Sequence, residues 1–215
     1  MATGSRAKSR ASKAEQAAAT RERIVVAATE LFLTEGFLTS TMAAIAKRAG
    51  VAVQTLYLAF GSKTAILQAT LDAALRAGSD EDIPEQDWYR GVLEADDGPA
   101  ALRSFCLDGG HNVERAAPLF GALRAASSDP EVAEVLATNK RLRAEGYSSV
   151  VRALASRDGF AADLSEADAV AIFYTVFSED TFLLMVQEQG WTPDRWRSWC
   201  FATVCSQFFP DAPAD

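Results

Sequence analysis

Between Ser40 and Lys63 the sequence fits two short helices and the turn joining them into one unbroken stretch. Met42, Ile45, Ala46 and Ala49 stand at i, i+3, i+4 and i+7, one face of a helix, with Thr39, Ser40 and Thr41 before them as candidate N-caps. Gly50–Val51 then turns the chain. Val53–Ala59 makes a second helix barely two turns long, which Gly61–Ser62 breaks. The spacing Ala46…Gly50…Leu56 sets small and apolar residues where the helices cross, so they approach closely. This is the outline of a helix-turn-helix unit, whose first helix braces across a nucleic-acid backbone while the second lies in the major groove. Many αα-hairpins share that outline, so it constrains the fold more than the function.

The flanks are helical too. Ile24, Ala27, Ala28, Leu31 and Phe32 line one helical face ahead of Gly36, and Ile66, Leu67, Leu71 and Leu75 follow Gly61–Ser62 on a fourth helix. All seven prolines lie at or beyond Pro84. The stretch Gly78–Gly98 is acidic and reads as a loop with a helical turn around Trp88–Leu93. Beyond it the pattern predicts Pro99–Arg115, a kink or break before Pro118, a helix from there to about Ser127, and a long helix opened by Asp129–Pro130 and ending near Ser156. Ser165-x-x-Asp168 resembles a capping box and opens a helix to about Gln189. Gly190 stops that helix, and Thr192–Pro193 caps the last one. No useful strand alternation occurs, so the expected class is all-α.

Charge divides the chain in two. The net charge of −8 over 215 residues argues against a nucleic-acid partner when taken whole. Residues 1–63, however, carry nine bases against four acids, a net of +5, and the remainder carries 12 against 25, a net of −13. Such asymmetry implies modules with different partners. The three cysteines form no C-x-x-C pair, and His111 is the one histidine, so a zinc knuckle or His cluster within the chain is not expected and no cofactor or metal is implied. The basic N-terminus lacks the apolar run of a secretory signal, and apolar stretches such as Ala167–Phe177 fall short of a bilayer. A cytoplasmic protein with no membrane association is expected.

The stretch Arg23-Ile24…Ala27-Ala28…Leu31-Phe32…Gly36-Phe37…Ser40-Thr41-Met42…Ile45-Ala46…Ala49-Gly50-Val51-Ala52…Thr55-Leu56-Tyr57…Phe60-Gly61-Ser62-Lys63 closely resembles the DNA-binding domain of the tetracycline-repressor (TetR) family. The Gly190–Trp191-x-Pro193 step is similar to one found in some members. The resemblance implies a flexible basic arm over 1–16, a helix-turn-helix domain over 17–63, a helical effector-binding and dimerisation domain over 64–209, and a tail over 210–215. It implies a homodimer that binds a double-stranded, near-palindromic operator, with successive major grooves roughly 34 Å apart. Positions matching Thr41, Thr55, Tyr57 and Lys63 would contact phosphates, and those matching Ala43, Val53 and Gln54 would face bases. Of the last three only Gln54 can make a bidentate pair, most naturally with adenine, while Val53 suits a thymine methyl. The sequence departs from the family at Leu58–Ala59, which puts one contact in doubt. The basic run Arg6–Lys13 is a candidate replacement, unless it is a tail that never orders on DNA.

For the acidic module, a small-molecule effector would need a cavity. Candidate lining residues are Phe105, His111, Phe120, Tyr147, Phe173, Tyr174 and Phe177; aromatic residues at helical spacing are also ordinary core. Phe182, Leu183, Val186, Trp191, Trp196, Trp199 and Phe208 offer apolar surface for a dimer interface, or else cover the subunit's own core. Together these features favour a ligand-responsive transcriptional regulator, with a repressor as the expected sign. Two rivals stand beside it: a sensor-free architectural DNA-binding protein, and an enzyme on a helical scaffold. The enzyme is disfavoured by the lack of a nucleophile–base set or metal constellation.

Overall fold

The computed structural model describes residues 3–76, 79 and 81–212, with side chains from Lys13 onward. Every regular element among them is helical. The head consists of α1 (Thr3–Thr34), α2 (Met42–Ala49), α3 (Val53–Phe60) and α4 (Lys63–Arg76). Ile24, Ala27, Ala28, Leu31 and Phe32 are all buried, as their spacing requires. The backbone of α1 begins at Thr3, well before the end of the arm expected over 1–16. The segment is rich in Ala, Lys, Arg, Glu and Gln, residues that cost little in a helix, so it extends α1. The side chains of Arg6, Lys8 and Arg10, invoked above for DNA, lie outside the described residues.

The turn between α2 and α3 depends on Gly50, whose φ of +66° is a conformation that side-chain-bearing residues rarely adopt. Thr41 Oγ1 caps α2 by accepting from the Ala44 N–H at 3.1 Å. Ser62 Oγ does the same for α4, accepting from Ala65 at 3.0 Å. Each cap is worth about 1 kcal/mol.

The body follows a one-turn 3₁₀ segment, Ile83–Glu85. It contains α5 (Asp87–Glu94), α6 (Gly98–Ser104), α7 (Gly110–Ala125), α8 (Pro130–Ala155), α9 (Glu166–Val176), α10 (Glu179–Phe182) and α11 (Pro193–Phe208). A π-helical stretch, Phe105–Gly109, carries α6 straight into α7, and another, Leu183–Glu188, continues α10. Asp129 opens α8 as expected, its Oδ1 accepting from the Glu131 and Val132 amides at 2.9 and 3.3 Å. Ser165 Oγ accepts from the Asp168 N–H at 3.1 Å and donates to that carboxylate at 2.7 Å.

Two expectations about helix ends are corrected. Pro118 lies inside α7 and does not break it. The lost backbone bond and ring clash cost about 3 kcal/mol, which burial of Leu119 and Phe120 at about 1.5–3 kcal/mol each offsets. Conversely, the helix expected to run from Ser165 to Gln189 stops at Val176 and restarts at Glu179. Ser178 is extended, with φ −142° and ψ 158°, and its Oγ accepts from the Thr181 amide at 3.2 Å while Glu179 and Asp180 fill the new first turn. The 23 residues Glu166–Glu188 have the length and apolar composition of a membrane span. The break at Ser178 interrupts them, and Phe173, Phe177 and Phe182 are committed to the body's core.

Two apolar clusters hold the molecule together. One fills the body around Phe105, Tyr147, Phe173, Phe177, Trp196 and Phe208. The other is the core of the head, and it does not stop at α4. Ala116, Leu119, Phe120 and Leu123 of α7, and Val132, Val135 and Leu136 of α8, pack into the same cluster as Ile24, Ile45, Leu56 and Leu67. Polar ties reinforce the seam: Thr64 donates to Glu131, and Arg115 Nε donates to the Ala74 carbonyl at 3.1 Å.

Candidate nucleic-acid interface

On α3, Leu56 is fully buried and anchors the helix to the head. With 3.6 residues per turn, the opposite side of α3 is the ridge bearing Gln54 and Leu58, four residues apart, with Thr55 and Tyr57 on its two flanks. All four are exposed, as are Thr41 and Ala43 at the start of α2, while Val53 is half-buried. Thr41 uses an oxygen lone pair to cap α2, which leaves its hydroxyl proton free to donate outward. The phenol of Tyr57 and the hydroxyl of Thr55 are exposed on the two flanks of this ridge, and hydroxyls are among the donors that pair with phosphate oxygens without reading sequence. Gln54, with a donor and an acceptor on one planar amide, is the residue on the ridge able to recognise a base edge by paired hydrogen bonds.

Lys63 departs from a free phosphate ligand. Its ammonium donates to the carbonyls of Phe37 at 2.8 Å and Ser40 at 3.0 Å, and lies 4.1 Å from the centroid of the Phe37 ring. It therefore ties the start of α4 to the α1–α2 loop. Burial pulls its pKa below the ordinary lysine value, and the nearby carboxylates of Asp129 and Glu131 work the other way. One N–H remains for an outside acceptor. Arg21 makes a comparable tie that the sequence did not disclose: its guanidinium stacks 4.0 Å from the Phe60 ring centroid and donates to the Ala59 carbonyl, fixing the C-terminal end of α3 to α1. Arg48 is held to Glu30 at 2.5 Å, and Lys47 is exposed.

In the body, the candidate effector residues part company. Phe105, Tyr147, Phe173 and Phe177 are buried against one another, with Tyr147 stacked on Phe173 at 4.8 Å and Phe105 5.2 Å from Phe173. The Tyr147 hydroxyl donates to the Phe177 carbonyl at 2.8 Å, and burial pushes its pKa well above the ordinary tyrosine value. These four fill space and do not line a chamber. His111 is corrected as a pocket residue: its side chain is 55% exposed on the surface of α7, 3.6 Å from Glu114. Position alone could not decide this, because His111 follows the π-helical stretch, which rotates the face that α7 presents. Phe120 borders a cavity of about 10 Å³, room for about one water, together with Arg124, Leu136, Asn139, Arg143 and Glu179. Arg143 pairs there with Glu179, which is 5% exposed, and stacks 4.0 Å from the ring centroid of half-buried Tyr174. A larger groove, about 430 Å³, is open between α4 and α8 and lined by Ser62, Thr64, Gln68, Glu131, Glu134, Val135 and Thr138.

The apolar residues expected at a dimer interface also divide. Phe182, Trp196 and Phe208 are corrected: they are 4%, 0% and 0% exposed within the single chain, so they have no surface left to give a partner. Trp196 donates to Thr181 Oγ1 at 3.1 Å and stacks on Phe177 at 5.3 Å. Leu183, Val186, Trp191 and Trp199 stay half-buried beside Leu184, which is exposed.

A positively charged four-helix head, with a short exposed helix held by Gly50, Arg21 and Lys63, has the geometry of a helix-turn-helix DNA-binding unit. Residues 24–70 match the family model described as bacterial regulatory proteins, tetR family. The whole fold is similar to that of NalD, the secondary repressor of the MexAB-OprM multidrug efflux pump in Pseudomonas aeruginosa. The TM-score is 0.69 and the identity 18%, over 92% of this chain and 100% of that one. It is likewise similar to SmeT in its complex with triclosan, with TM-score 0.71 and 16% identity over 92% and 96%. No curated protein matches the chain in sequence. The head over residues 24–70 is thus similar in sequence to the DNA-binding domain of tetR-family regulatory proteins, and the chain as a whole shares the fold of these two structures.

Proposed function

We propose that the chain is a ligand-responsive repressor that binds a near-palindromic operator as a homodimer and is released by a small-molecule effector. The observation that carries this is the outward ridge of α3, where an exposed Gln54 stands between the hydroxyls of Thr55 and Tyr57 on the chain's basic end. Gln54 reads adenine, Ala43 and Val53 supply apolar contact with base edges, and Thr41, Thr55, Tyr57 and the remaining N–H of Lys63 hold phosphates. Leu183, Val186, Trp191 and Trp199 contribute to the dimer interface. Binding in the body acts on the head through α7 and α8, whose residues belong to the head's own core; a coupling of about 1–3 kcal/mol suffices for a switch. NalD, a repressor, and SmeT, solved in complex with the small molecule triclosan, are alike in fold and support the reading.

The sensor-free architectural reading retains one observation in its favour: the body's aromatic residues Phe105, Tyr147, Phe173 and Phe177 pack on each other, and the cavity beside Phe120 measures only about 10 Å³. Gel-shift titration of the chain on the DNA upstream of its own coding region, across a salt series, separates the two. The repressor reading expects a specific complex that outlasts random DNA at rising salt. Equal affinity for both DNAs at every salt concentration sinks it in favour of the architectural protein.

A further inference from the structure

Leu58 is 89% exposed, more than any other exposed large apolar residue described, and it lies on the outward ridge of α3. A single exposed leucine is ordinary on a protein surface. Its position is not. It shares the ridge with Gln54, directly opposite the buried Leu56, and the flanking Tyr57 is 52% exposed beside it. When α3 enters a major groove, the flanks meet the phosphate walls and the ridge meets the floor, so Gln54 and Leu58 are the ridge side chains that meet base edges, with the half-buried Val53 at the start of the helix beside them. A leucine can neither donate nor accept a hydrogen bond. The one apolar group that a base edge offers in the major groove is the C5-methyl of thymine. Against any other base, Leu58 strips water from a donor or acceptor and returns nothing, which costs free energy.

We propose that Leu58 reads a thymine methyl in each operator half-site and so sets specificity there, a proposal that rests on the operator-binding reading above. Four residues of helix advance α3 by about 6 Å, so this thymine lies roughly two base-pair steps from the pair that Gln54 recognises. The departure from the family at Leu58 is then a contact changed in kind, not one lost. The partner is double-stranded DNA and not another protein, because the ridge is continuous with the surface of Thr41, Thr55 and Tyr57.

The test uses the full chain and synthetic duplexes. Selection from a random duplex library defines the preferred site; each thymine in it is then replaced in turn by deoxyuridine, which pairs identically but lacks the methyl. The wild type is expected to lose about fourfold in affinity per half-site at one position, the weight of one buried methyl. Leu58→Ala is expected to bind thymine and deoxyuridine equally there, with an unchanged melting temperature because so little of the side chain is packed. Val53→Ala is expected to keep the discrimination at that position. The proposal is overturned if no deoxyuridine weakens the wild type, or if Leu58→Ala keeps the whole thymine preference while Val53→Ala abolishes it. A wild type that selects no sequence at all overturns the operator-binding reading itself, and this inference with it.

Discussion

Replacing Lys63 with methionine keeps the length and apolar stem of the side chain and removes its charge. In the structure that ammonium donates to two loop carbonyls, at 2.8 and 3.0 Å, and lies over the Phe37 ring. Hydrogen bonds to a charged group contribute about 1.5–3 kcal/mol each when well shielded. Lys63 is only partly buried, and burial already draws its pKa down, so desolvation and solvent screening cancel roughly half of that gain. Both residues that supply the carbonyls, Phe37 and Ser40, are nearly fully buried, so the carbonyls lose this donor in a place with little water to replace it. The net expected cost is about 2–3 kcal/mol, or about 5–10 °C of melting temperature in a chain of this size. Circular dichroism gives the melting temperature. Hydrogen exchange at the Ser40 amide, bonded to the Gly36 carbonyl at 3.2 Å, localises the loss to the head. Tryptophan fluorescence serves as the internal contrast, because all four tryptophans follow residue 87 and report on the body. A Lys63→Met variant with unchanged melting and exchange but weakened DNA binding refutes the tie and leaves only a phosphate contact.

Other outcomes follow from the same geometry. Gln54→Ala should relax preference at one base pair per half-site, removing about 1–3 kcal/mol of discrimination, as read by selection from a random library; an unchanged motif rejects the role. Tyr57→Phe should weaken binding to every sequence by roughly 3–10-fold without altering the salt dependence, since no charge is removed; a sequence-dependent loss contradicts a phosphate contact. Arg143→Met, which strands the buried Glu179 carboxylate, should cost about 3–5 kcal/mol, and adding Glu179→Leu should restore most of it; a double variant as unstable as the single one argues against the pair. All three thiols are buried, and burial raises those of Cys106 and Cys200, so a thiol reagent at pH 8 should label the folded chain slowly and all three cysteines on unfolding.

What could be inferred from the sequence was local. The N-caps Thr41, Asp129, Ser165 and Thr192, the turn at Gly50 and the buried face from Ile24 to Phe32 depend on neighbours within one or two helical turns, and the structure bears each of them out. The readings that failed depended on distant partners. Pro118 is a helix breaker in isolation, but buried neighbours on both sides hold α7 through it. Ser178 carried a cap signal, a hydroxyl before two acids, hidden inside an apolar run whose 3.6-residue period continues across the break. Burial of Phe182, Trp196 and Phe208 in their own subunit, or of Tyr147 against Phe173, is a matter of which faces meet across the body. No period along the chain encodes it. Arg21 over Phe60 and Lys63 over Phe37 escape for the same reason, since each pair joins residues more than twenty positions apart.

The reach of α7 and α8 into the head's core has a practical meaning for exchange between relatives. Ala116, Leu119, Phe120 and Leu123 complete the apolar interior that Ile24, Ile45, Leu56 and Leu67 begin. The reading head is therefore not an interchangeable cassette ending at the start of α4. A chimera cut there would carry its specificity without the floor on which it rests, and a transplant that works must bring the head-facing side of α7 and the first turns of α8 along with it.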